Sequence, residues 1–146
     1  YNHEPERYVM LKGIAHICIK SRDLEASRRF YCDGLGCLPA FDFIRNGRRV
    51  GFYLKLSDHN FLEFFETGSN CAPPADCAFA HICLEVDSIV VTSARLAAIG
   101  VETSERKLGN DRSYQAWVTD PDGIRIELHE YTPESSQLTG NDCFLN

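Results

Sequence analysis

The chain has no run of apolar residues approaching the ~20 that a membrane-spanning helix needs. It also lacks a basic excess: 15 Lys and Arg stand against 21 Asp and Glu, for a formal net charge of −6. A nucleic-acid binder leans the other way and gathers its cations on one face. The single dense basic run, Arg45-Asn46-Gly47-Arg48-Arg49, is short and reads as a hairpin turn. No CxxC pair occurs among the seven cysteines, Cys18, Cys32, Cys37, Cys71, Cys77, Cys83 and Cys143. An odd number without such pairs argues against a disulfide framework and against a zinc ribbon. All seven are expected to be reduced, with Cys18 and Cys83 serving as small hydrophobes inside apolar strands. Residues 1–7 are polar and contain no signal-peptide core, and His3 within them is expected to be solvated. The expected location is the cytoplasm, with neither membrane nor nucleic acid as a partner.

What is present is an ordinary globular mixture, 44% apolar and 25% charged over 146 residues. That suffices for a core that needs no metal or disulfide merely to fold. Within it lies an internal repeat. Ala15-His16-Ile17-Cys18-Ile19 returns as Ala80-His81-Ile82-Cys83-Leu84, an offset of 81 − 16 = 65. Leu62-Glu63-Phe64-Phe65-Glu66 returns as Ile126-Glu127-Leu128-His129-Glu130, an offset of 127 − 63 = 64. Two matches at nearly one offset indicate a duplicated module rather than a solenoid array.

The intervening residues agree with that reading. After the first histidine strand, Asp23 is a helix N-cap, Leu24 to Cys32 supply the helix, and Gly34 is expected to end it in the left-handed conformation. In the second half Asp87 and Ser88 open a helix that Gly100 closes. Strand-like runs follow at 40–44, 50–56 and 61–66, then at 101–106, 114–119 and 125–131, with turn residues between them. Each half is therefore strand, helix, three strands. The predicted architecture is α+β: two tandem βαβββ modules, 9–68 and 79–131, forming cupped mixed sheets. Residues 69–78, with Pro73 and Pro74, are the linker. Residues 132–146 form a polar tail, a flexible end or an arm onto a partner.

Alternation along a strand puts His16, Cys18 and Lys20 on one face, Phe61, Glu63 and Phe65 on another, and Arg125, Glu127 and His129 on a third. Glu63 and Glu127 are carboxylates inside strongly apolar strands, and a buried carboxylate needs a partner. One cation shared with His16 and His81 would partner both. Two imidazoles and two carboxylates suit a single divalent ion: Zn, Ni, Co, Mn or Fe. Taken singly, a strand histidine is usually a half-buried structural residue and a strand glutamate usually faces solvent. The recurrence of the pair at matching places is what favours a site. His59 is expected to be a solvated turn residue, whereas His129 shares the face of Glu127 and is a candidate pocket residue.

Several segments together resemble the vicinal oxygen chelate superfamily, which includes glyoxalase I, methylmalonyl-CoA epimerase and extradiol dioxygenases. They are Gly13-Ile14-Ala15-His16-Ile17, Phe30-Tyr31 with Gly34-Leu35-Gly36, Phe61-Leu62-Glu63-Phe64, Ala80-His81-Ile82 and Asp120-Pro121-Asp122-Gly123-Ile124-Arg125-Ile126-Glu127-Leu128. The resemblance implies the glyoxalase-like fold and metal ligands at His16, Glu63, His81 and Glu127, in the order glyoxalase I uses. The related epimerase usually carries Gln where this chain has Glu63, which tilts the resemblance toward glyoxalase I-like lyases and isomerases. Where bacterial glyoxalase I holds glutathione carboxylates with Arg and Asn, this chain has Lys20 and Thr67. Lys20 keeps the charge but loses the bidentate fork.

The resulting expectation is a metal-dependent lyase or isomerase of the glyoxalase I type. It would move a proton alpha to a carbonyl through a metal-bound enediolate, on a small molecule with adjacent oxygens. Glu127 would take the proton and Glu63 would serve the second transfer. Lys20, Phe61, Phe65 and His129 are the candidate substrate contacts. The alternatives are an Fe(II) extradiol-type dioxygenase and a non-catalytic small-molecule binding protein. The expected assembly is a homodimer, with His16 and Glu63 of one chain meeting His81 and Glu127 of the other.

Overall fold

A computed structural model describes residues 11–69 and 72–145. The polar N-terminal stretch with His3, and Cys71, lie outside them. The first sheet contains β1 (His16–Ser21), β2 (Leu38–Arg45), β3 (Arg48–Lys55) and β4 (Phe61–Glu66) in the order β1-β4-β3-β2. The second contains β5 (Ile82–Glu85), β6 (Lys107–Leu108), β7 (Tyr114–Thr119) and β8 (Arg125–Glu130) in the order β5-β8-β7-β6. In each sheet the first strand runs parallel to the last and the other pairings are antiparallel. A parallel pair requires a crossover, and each crossover begins with a helix, α1 (Leu24–Arg28) or α2 (Ile89–Ala98). The two mixed sheets are thus built on one plan, the α+β pair of βαβββ modules expected from the repeat.

Local chemistry accounts for most boundaries. Asp23 Oδ1 accepts from the backbone N–H groups of Glu25 and Ala26, both at 3.0 Å, and so caps α1. Ser88 caps α2 by accepting from Val91 N–H. Asn46 and Gly47 both have positive φ, 51° and 72°, the geometry of a two-residue turn that matches strand twist. The basic run therefore is the β2–β3 hairpin, with Arg48 paired to Glu66.

Three expectations need correction. The run 101–106 is not a strand; its place at the sheet edge is taken by the two-residue β6, and Ser104 N–H is spent instead on Trp117 C=O at 2.8 Å. Gly34 does not end its helix in the left-handed region. The chain continues from α1 through a π-helical turn, Arg29–Gly34, and a Cβ on Gly34 would come within 2.7 Å of Leu96 Cδ2 and 3.0 Å of Ile99 Cδ1. Its missing side chain lets α2 approach, and the positive φ falls on Gly36. Finally, the tail is tied down rather than loose: α3 (Ser136–Thr139) follows Ser135, a buried residue whose Oγ accepts from Thr132 N–H and bonds Ser113.

One apolar cluster serves both modules. Ile19, Phe30, Tyr31, Phe52, Leu54, Leu62 and Phe64 of the first pack with Ile82, Ile89, Leu96, Ala116, Val118, Ile126 and Leu128 of the second. Each buried Val, Leu, Ile or Phe side chain among them contributes roughly 1.5–3 kcal/mol on burial. Polar bonds cross the same junction. Tyr31 O–H donates to Asp120 Oδ2 at 2.8 Å, while Asp122 accepts from Arg22 N–H at 2.9 Å and Ser27 O–H at 3.1 Å. The Asp120-Pro121-Asp122-Gly123 turn is therefore a clasp on the first module as well as the entry to β8. Among the described residues no helix is long and apolar enough to cross a membrane, and Cys18, Cys32, Cys37, Cys77, Cys83 and Cys143 are all free.

Candidate metal centre

Because the core takes one face of each sheet, strand alternation leaves the other face free for polar groups. Leu62 and Phe64 go inward, so Glu63 goes outward; Ile126 and Leu128 go inward, so Glu127 goes outward. The parallel neighbour in each sheet then supplies the imidazole. His16 Nε2 lies 3.5 Å from Glu63 Oε2, and His81 Nε2 lies 3.1 Å from Glu127 Oε2. His81 stands just ahead of β5, whereas His16 is the first residue of β1. Both glutamates are largely shielded, with side chains 18% and 12% exposed, while the histidine rims remain accessible at 43% and 33%.

The second pair has further company that the repeat did not disclose. His129 Nδ1 lies 3.2 Å from Glu127 Oε1 and its Nε2 lies 3.7 Å from Asp111 Oδ2. The Cys83 thiol lies close to Glu127, and partial burial, then that carboxylate, push its pKa up to about 11. Cys83, Glu127 and His129 form the one group of three or more close potential metal donors among the described residues. Cys18 stands similarly against Glu63, its thiol raised by burial and by that carboxylate. Position 65, the counterpart of His129, is Phe, so only the second glutamate has an imidazole behind it.

Around the first pair the open face is aromatic. Register places Phe41 opposite Tyr53, Tyr53 opposite Glu63, and Phe43 opposite Gly51, which faces Phe65. Phe41 stacks on Tyr53 at 4.7 Å between ring centroids, and Phe43 on Phe65 at 4.6 Å. The second stack closes over Gly51, where a Cβ would meet Phe65 at 3.0 Å and Phe43 at 3.2 Å. Phe61 leans on Tyr53, whose ring also meets His16. In the second module Trp117 takes the place of Tyr53, against His81, with the Arg125 guanidinium 3.9 Å above the indole ring.

The sequence-predicted residues therefore assemble in two groups. His16, Glu63, Phe61 and Phe65 share one open face with Lys20, which is exposed at the β1 edge opposite Phe65. His81, Glu127 and His129 share the other, with His129 6% exposed. No group of close donors among the described residues joins the two pairs within the chain. A cleft of about 390 Å³ does run between the modules, lined by Ile17, Leu35, Phe61, Ile82 and Leu84 among others, but none of the four candidate ligands lines it. Sequence reasoning missed Phe41, Phe43, Tyr53, Trp117 and Asp111. Cross-strand register would have found the first four; Asp111 carries no local signal.

A family model described as the Glyoxalase/Bleomycin resistance protein/Dioxygenase superfamily matches residues 13–128. The Escherichia coli protein YaeR is 28% identical over 125 residues, covering 82% of this chain and 97% of that protein. A probable lactoylglutathione lyase from Synechocystis is 29% identical over 121 residues, covering 79% of this chain and 92% of the relative. The crystal structure of a glyoxalase family protein from Enterococcus faecalis superposes with a TM-score of 0.70 at 27% identity, covering 84% of this chain and all of that one.

Proposed function

Given that the chain belongs to the glyoxalase/bleomycin resistance protein/dioxygenase superfamily, we propose that it is a divalent-metal-dependent lyase or isomerase of the glyoxalase I type. The observation that carries this is the twofold recurrence of one His–Glu pair, at 3.5 and 3.1 Å, at matching positions of two sheets. The donor set fits a divalent ion. Imidazole and carboxylate are the ligands of Zn, Ni, Co, Mn and Fe(II), and each pair is half of a four-ligand set. His16, Glu63, His81 and Glu127 would hold the ion. When bound, it would act as a Lewis acid toward two adjacent substrate oxygens and lower the cost of negative charge next to a carbonyl.

The chain's own groups supply the rest. Glu127 is the base for the proton alpha to the carbonyl, and Glu63 the partner for the second transfer. The stacked rings of Phe41, Phe43, Tyr53, Phe61 and Phe65 form an apolar wall on the same open face as the first pair and favour a substrate with a flat or conjugated group. Lys20 offers a single charge for an anionic end of the substrate. The Synechocystis relative suggests a hemithioacetal substrate, but Lys20 and Thr67 argue for one other than the glutathione adduct.

Two half-sites in one chain argue for a homodimer in which the first module of each subunit faces the second module of its partner. The test combines metal removal with complementation. Chelation should abolish α-proton exchange in deuterated water, and restoring a divalent ion should recover it; exchange that no metal affects would remove the proposal. His16→Ala and His81→Ala proteins, each inactive, are then refolded together. A site shared across subunits regains about a quarter of wild-type activity, because half the dimers are mixed and each mixed dimer has one intact site of two. A site within one chain regains nothing.

A further inference from the structure

The tail beyond β8 reaches Glu127 through a short chain of contacts. Gln137 Nε2 donates to Asp111 Oδ2 at 2.7 Å, and Ser136 N–H donates to Asp111 C=O at 2.8 Å. Asp111 Oδ1 accepts from Ser113 N–H at 3.1 Å. Burial pushes the Asp111 carboxyl up, but the bonds from Gln137 and Ser113 and the nearness of His129 outweigh it and leave it below its ordinary value. Asp111 is thereby held as a fixed carboxylate facing the ring of His129. That ring is 6% exposed and is packed edge-on against Tyr131 at 4.8 Å. Its Nε2 is the one buried side-chain nitrogen or oxygen without a hydrogen-bond partner among the described residues, and its Nδ1 meets Glu127 Oε1.

We propose that His129, backed by Asp111 and the C-terminal tail, is a positioning residue that fixes the orientation of the Glu127 carboxylate. An ionised carboxylate only accepts, so Nδ1 donates to Oε1 and leaves Oε2 turned toward His81. Glu127 thus presents one defined oxygen. Glu63 has Phe65 where Glu127 has His129 and is free of this restraint. The two glutamates of the repeat become unequal: only Glu127 has an imidazole behind it on its own strand. His129 and Gln137 both lie outside residues 13–128, the span the family model matches. The metal role of Glu127 rests on the function proposed above; the restraint on its side chain does not.

The variants are His129→Phe, which installs the residue of the first module, His129→Asn, which restores a donor near Nδ1, and Gln137→Leu, which cuts the tail contact at an exposed position. In crystals of the metal-free proteins, Glu127 should keep one rotamer in wild type and His129→Asn and spread over several in His129→Phe. In solution His129→Phe should weaken Zn(II) binding by about 10- to 100-fold and alter the visible spectrum of the Co(II) protein. Gln137→Leu should give a smaller shift in the same direction without a change in thermal unfolding. A single unchanged Glu127 rotamer in metal-free His129→Phe and Gln137→Leu overturns the positioning role. Failure of wild type to bind any divalent ion would overturn the metal reading instead, while the metal-free rotamers still decide this one.

Discussion

The clasp between modules is open to a quantitative test through Tyr31→Phe. Tyr31 is fully buried and its hydroxyl donates to Asp120 Oδ2 at 2.8 Å. Asp120 is also buried, and its other oxygen is already used: Oδ1 accepts from Asp122 N–H at 2.9 Å and Ile124 N–H at 2.8 Å. Removing one hydroxyl leaves the ring packing intact and strands Oδ2 without a donor. A hydrogen bond to a charged group is worth about 1.5–3 kcal/mol. For a domain of this size each kcal/mol lowers Tm by roughly 2–4 °C, so the expected drop is about 3–12 °C. The pH dependence has a definite sign. Burial first of all raises the Asp120 carboxyl, and the Tyr31 bond opposes that rise. The tyrosine hydroxyl itself is driven well above its ordinary value by burial and by Asp120, so it remains the donor throughout.

Without the hydroxyl the folded-state value of Asp120 climbs further. A carboxyl raised on folding contributes stability below its unfolded value and loses it as pH rises through the folded value. That loss is larger in the variant, so the stability gap between the proteins widens with rising pH and closes in acid. Urea denaturation from pH 4 to pH 8 would measure it. In an Asp120→Asn background the same substitution should cost roughly 1 kcal/mol or less, since no charge is stranded. A Tm drop under about 2 °C at neutral pH, or a gap that ignores pH, would refute the argument.

Two further outcomes follow from packing. Gly34→Ala should destabilise by about 1–3 kcal/mol in urea melts, because the new methyl meets Leu96 Cδ2 at 2.7 Å where α2 crosses the π-helical turn. Cys37 should resist iodoacetamide in the native protein at pH 8, since burial pushes its thiol up to about 12 and leaves roughly one thiolate in ten thousand. The exposed Cys77 and Cys143 should be labelled first, and mass spectrometry before and after unfolding would show the order.

The sequence by itself determined the plan of the molecule. A duplicated His strand and Glu strand, with caps at Asp23 and Ser88 and a turn at Asn46-Gly47, are local signals, and local signals survive without a fold. Period-two alternation likewise placed Glu63 and Glu127 opposite the core before any packing was known. It failed where a residue's role is set by what lies across from it. Gly34 looked like a stop signal but serves the approach of α2, and 101–106 had strand composition but bonds to β7 through Ser104 rather than pairing along it.

Tertiary structure alone decided that the two pairs stay on separate faces, because one shared core claims the opposite face of both sheets. It alone brought Phe41, Phe43 and Tyr53 to the face that carries Glu63, through register across three strands. And it alone brought Gln137 and Asp111, on a tail and a loop, to the His129–Glu127 pair, whose shared face the alternation along β8 had already shown.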